Sequence, residues 1–99
     1  MISDETADPD DFSVALMALS WILQDQVLTD RFIALTGLMP DDLRGSLAEP
    51  ATQGAILDFL AGNDGDLMAA ADGMGVRPER IVAARDALTG SNAGRGWEA

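Results

Sequence analysis

Carboxylates and arginines are the residues of this chain best equipped for chemistry, and their spacing suggests three kinds of site. Asp10/Asp11 and Asp41/Asp42 are adjacent acid pairs, the residue type from which two-carboxylate acid–base catalysis is built. The stretch GNDGD, residues 62–66, hints at a calcium loop. MAAADGMGVRPERIVAARDALTG, residues 68–90, has the spacing of a helix-turn-helix. There Arg77, Arg80 and Arg85 are the side chains that would meet phosphates and base edges.

Each site has a simpler explanation. Neighbouring acids in the first turn of a helix complement the positive end of its dipole. A calcium loop with its turn glycine at Gly65 would need a ligand at Leu60, which has no oxygen to give. Asn63 followed by Asp66 reads instead as a helix N-cap with an acid at N3. In residues 68–90 the positions that match, Ala71, Gly75, Val76, Ile81 and Ala84, are the small, turn and apolar places that any tight helix–helix corner wants. The arginines there are offset by Glu79 and Asp86, and Ala83 and Ala87 can donate nothing.

The missing residues narrow the chemistry further. Cys, His and Tyr are absent, and the six basic residues are all arginine. Thiolate and imidazole catalysis, Schiff-base lysines, disulfides and the usual zinc ligands are excluded. No phosphate-binding glycine loop or nucleophile elbow occurs. The chain therefore reads as a non-enzyme without a metal or cofactor. A net charge of −11, from 17 acids, disfavours phosphate backbones and anionic lipid. DNA binding through residues 68–90 is the alternative reading, and an unfavourable one; a carboxylate hydrolase is a more distant one.

The elements that must position these residues all read as helix, because no segment alternates with period two. Helix 1 is expected from an Asp8 cap, with Pro9 at N1, to about Gln24. Helix 2 runs from an Asp25 cap to Thr36, with Gly37 in the left-handed position behind it. Pro40 opens helix 3, Ala51–Ala61 form helix 4, Asn63 caps helix 5, and Pro78 opens helix 6, which stops near Thr89-Gly90. GLMPDDLR and GVRPERIV echo one another: Gly37 and Gly75, Pro40 and Pro78, and the caps Asp25 and Asn63 share one offset. The expected fold is all-α, a compact bundle of five to six short helices around an apolar first helix, with αα-corners at 37–40 and 75–78. Residues 1–8 read as an acidic N-terminus, 9–90 as a single domain and 91–99 as a tail carrying Trp97. The apolar run Phe12–Leu23 is well short of the roughly 20 residues a membrane span needs, and no signal peptide precedes it, so a cytoplasmic protein is expected.

Helix 1 is apolar on every side, interrupted only by Ser13 and Ser20. Phe12, Leu16, Leu19 and Leu23 form one stripe; Val14, Met17, Ala18 and Trp21 form another, roughly opposite. A helix apolar all round is buried all round or shares a face with another chain. The second stripe, with Leu38 and Met39 beside it, is the expected contact for a protein partner of unidentified chemistry or for a second copy. In helix 2, Leu28, Phe32 and Leu35 are expected to line the core; in helix 4, Gln53, Ile56, Leu57 and Leu60.

The blocks LMALSWILQDQ…DRFIALTGLMPDDLR and ILDFLAGNDGDLMAAADGMGVRPERIVAARDALTG resemble a family of short alphaproteobacterial proteins grouped as a domain of unknown function. The resemblance covers roughly residues 12–90. It implies a small, helical, bacterial and cytoplasmic protein and carries no activity or ligand with it. At DGDLMAAADGMG the chain departs from the family pattern, since extra Gly and Ala thin the aliphatic packing expected of helix 5. Taken together, the expected role is a small adaptor or regulatory module for protein–protein interaction.

Overall fold

Asp10 starts the fold. In the computed structural model, which describes residues 9–90, the Asp10 carboxylate accepts the Ser13 N–H at 2.8 Å and caps helix α1, Asp11–Leu23. The hydrogen bond from the Ser13 backbone, reinforced by its hydroxyl, holds the Asp10 carboxyl below the usual carboxylate range. The expected Asp8 cap lies outside the described residues, and the helix begins later than the sequence suggests. Pro9 precedes the cap instead of occupying N1, because its carbonyl accepts from Arg80 at 2.6 Å and the helical ladder starts one residue on, from Asp10 to Val14.

Local chemistry places the remaining elements. Helix α2, Gln26–Thr36, is capped by Asp25, which accepts from Val27 and Leu28. Helix α3, Pro40–Ser46, and helix α6, Pro78–Arg85, both open with proline at N1. Helix α4, Pro50–Ala61, does the same one residue ahead of its expected start. Helix α5, Asp64–Met74, begins where the Asn63 side chain accepts the Asp66 N–H at 2.9 Å. Gly37 and Gly75 each take φ of 74°, the left-handed conformation that a Cβ opposes. The two corners close differently. Gly37 makes a single bond back to Ile33, whereas Gly75 and Val76 bond to Asp72 and Ala71 in a Schellman motif.

The helices pack around a centre shared by α1 and α4. Helix α1 touches α2, α4, α5 and α6, and α4 touches α1, α2, α5 and α6. An all-α bundle of six short helices results, as the patterning requires. Val14, Ala15, Ala18, Leu19 and Ile22 from α1 meet Ile56, Leu57 and Leu60 from α4, Phe32 from α2 and Ile81 and Ala84 from α6 in one core. After Arg85 the chain widens into a π turn, Asp86–Gly90. This turn lies on α4 at Gly54, where a Cβ would stand 2.5 Å from the Thr89 methyl. Among the described residues no buried side-chain polar atom lacks a partner. Buried Gln53, for instance, donates to the Leu47 carbonyl at 2.9 Å and ties α4 to the segment after α3. No single helix among them is long and apolar enough to cross a membrane.

The glycines of α5 fit this packing. A Cβ on Gly73 would sit 2.5 Å from Trp21 Nε1 and 2.8 Å from Cδ1, so the indole of α1 lies directly on the α5 backbone. The small residues here, Gly73 with buried Ala70 and Ala71, make room for α1. Gly45 in α3 has nothing within 4 Å of its missing Cβ. The two glycines should therefore respond oppositely to alanine. Gly73→Ala is expected to destabilise by about 1–3 kcal/mol through overpacking, and Gly45→Ala to stabilise by roughly 0.5–1 kcal/mol. Thermal melts followed by circular dichroism read both signs.

Candidate functional site

A groove of about 680 Å³ runs between α2 and α4 and ends at the start of α5. Its floor comes from Ala51, Ala55 and Phe59, one turn apart on a single face of α4. Its wall comes from Arg31 and Leu35 of α2, continued by Leu38 in the corner. Leu35 is 71% exposed although Leu28 and Phe32, on the same face of α2, are buried. Periodicity aims Leu35 at the core as expected, but it lines the groove together with the small residues Ala51 and Ala55 and stays exposed. A core position has thereby become the wall of a site.

Phe59 anchors the groove to the core. Its ring stands at 84° to that of buried Phe32, with centroids 5.3 Å apart, the edge-to-face geometry favoured by the ring quadrupoles. The Arg31 guanidinium lies over the Phe59 ring, 5.7 Å from its centroid, and pairs with the Asp66 carboxylate. Asp58 borders the groove and takes a 3.0 Å hydrogen bond from Arg85. With an apolar floor and hydroxyl and carboxylate groups at its edges, the groove is suited to holding side chains.

Residues 9–91 match the family described as "Protein of unknown function (DUF3572)". The chain belongs to this family. The match spans all six helices, so the groove lies wholly within the family domain. No curated protein and no solved structure matches the chain.

The residues singled out in the sequence divide between the inside and the outside of the domain. Val14 and Ala18 are completely buried, so they are core residues and no partner can reach them in this structure. Trp21 is half-buried against α5, and Met17 is half-buried. The burial axis of α1 falls between the two expected stripes, on Ala15 and Ile22, which belong to neither. In the first stripe Leu19 is buried, whereas Phe12 and Leu23 are 42% and 47% exposed. Leu38 lines the groove, and Met39 next to it is exposed. Leu35, Phe59, Ala51 and Ala55 were not foreseen as a site, because only the meeting of α2 with α4 brings them together.

The corner at 75–78 forms as the helix-turn-helix spacing requires, but two of its three arginines are engaged elsewhere. Arg80 donates to Asp11 at 3.0 Å as well as to the Pro9 carbonyl, and its side chain is 17% exposed. Arg85 bonds Asp58 and Asp86, and the bond to Asp58 foremost raises its pKa and holds its charge in place. Arg77 is exposed at the α6 N-cap. Among the described residues no cluster of three or more His, Cys, Asp or Glu is placed to hold a metal ion.

The two sides of α2 should separate cleanly in stability. Phe32→Ala is expected to cost about 3–5 kcal/mol, whereas Leu35→Gln should change stability by no more than about 0.5 kcal/mol, as is usual at the surface. Urea unfolding curves of the two variants check whether Leu35 is a free wall residue; a large loss for Leu35→Gln would place it in the core.

Proposed function

We propose that this protein is a non-enzymatic, cytoplasmic interaction module, a small adaptor or regulatory protein that holds an apolar segment of another protein in the α2–α4 groove. The observation that carries this reading is exposed Leu35 facing Ala51 and Ala55: an apolar wall and floor with nothing between them. Helix-in-groove recognition uses such a surface, with apolar anchors at helical spacing entering between two helices. Leu35→Gln keeps helix propensity and removes the apolar wall, so it separates recognition from folding. Lysate proteins retained on immobilised wild-type protein and lost on the Leu35→Gln variant are the expected result. Identical sets on both baits would rule the groove out as the contact.

A second reading concerns the open face of α1. Phe12, half-buried Leu16 and Leu23 line it, Val27 at the start of α2 is 72% exposed, and residues 12–24 contain no ionisable group. In a chain of net charge −11, an uncharged helix face is where a second copy can approach with least repulsion. Antiparallel pairing would set Phe12 of one copy near Leu23 of the other, the self-complementarity a two-fold interface demands. Light scattering on a gel-filtration column is expected to give a dimer mass that falls to monomer in Leu23→Gln. A monomer at every concentration would dispose of the homodimer and leave the groove reading intact.

A further inference from the structure

We infer that the groove takes a basic amphipathic helix, an inference that rests on the groove reading above and names its occupant. The decisive feature is the contrast between floor and rim. The floor is apolar, but Asp58 and Asp66 are part of the lining. Next to the lining in sequence come Asp64, between Asn63 and Asp66, and Glu49, which holds the N-cap position of α4 two residues before Ala51. Two of these carboxylates are already paired, Asp66 with Arg31 and Asp58 with Arg85, while Asp64 and Glu49 have no ion pair among the described residues and are open to a cation from outside.

Arg31 also shows how a cation is held here. Its guanidinium rests over the Phe59 face and on a carboxylate at once, and the second of these contacts is the one that a partner's arginine or lysine can repeat on the unpaired rim acids. An anionic or acid-faced helix would meet like charge from the rim and from the chain's net −11. Nucleic acid and anionic lipid are disfavoured on the same ground. An extended peptide would want a sheet edge, and the described residues contain no strand. What remains is a helix with an apolar stripe for Leu35, Ala55 and Phe59 and a basic face for the carboxylates.

Fluorescence anisotropy with three labelled synthetic peptides tests this on the full chain. The first carries a Leu/Ala stripe and a Lys/Arg face. The second keeps the stripe with a Glu face, and the third scrambles the first to abolish the stripe at the same charge. The first is expected to bind at least tenfold more tightly than either of the others. Leu35→Gln should weaken it about tenfold, and Glu49→Gln with Asp64→Asn several-fold. Asp72→Asn with Glu79→Gln removes the same charge away from the groove and should leave binding unchanged. Equal binding of the first two peptides would overturn the basic occupant and leave the groove reading standing. Equal binding of the first and third, or no binding by any, would overturn both.

Discussion

Side-chain size along α4 is the constraint on which the rest of the molecule depends. On one face Ile56, Leu57 and Leu60 are fully enclosed and bind the helix into the core. Elsewhere Ala51, Gly54 and Ala55 hold their neighbours off or let them in, according to what lies opposite. Gly54 admits the π turn to van der Waals contact. Ala51 and Ala55, facing Leu35, leave space unfilled. Protein interiors are close-packed, so an unfilled channel beside a well-packed face is a departure with a local cause. Two methyl-sized side chains one helical turn apart, Ala51 and Ala55, lie along that channel.

Electrostatics then choose among the ways these helices could be arranged. With acids in large excess, four of the five arginines among the described residues rest on aspartates. Three of these pairs run between helices: Arg31 joins α2 to α5, Arg80 joins α6 to α1, and Arg85 joins α6 to α4. Exposed pairs of this kind contribute only about 0–1 kcal/mol each. Their consequence is geometric. Arg80 draws α6 against the first turn of α1, and in doing so it is withdrawn from the surface a DNA-reading helix would present. The corner of residues 68–90 has the backbone of a helix-turn-helix with two of its three basic side chains, Arg80 and Arg85, turned to internal use.

How much of this was legible in the sequence depended on the range of the interaction. Caps and corners are decided within four or five residues, and Asp25, Asn63, Gly37, Gly75, Pro40 and Pro78 all stand where their local chemistry placed them. The echo between the two corners, seen as a pattern of letters, is a repeated backbone conformation. Faces of helices were less legible. Helix α1 is apolar on all sides, so periodicity gives no preferred direction, and its burial axis at Ala15 and Ile22 is set by where α4, α5 and α6 approach. The groove was illegible for the same reason: Leu35 has the right phase for the core, and only the size of residues on another helix keeps it out. Trp21 against Gly73 is a pair of this kind as well, half a chain apart.

The two echoing corners have different obligations. The second feeds α6, whose Ile81 and Ala84 lie in the core. The first feeds α3, the helix least engaged with the others, which enters the core through Leu43. Leu38 and Met39 sit on this lightly held corner, at the lip of the groove. This corner is thus held to the rest of the domain by fewer packed residues than the second. Over evolutionary time such a corner can exchange residues freely, while the pillar of α1 and α4 is bound to its present sequence by its own packing.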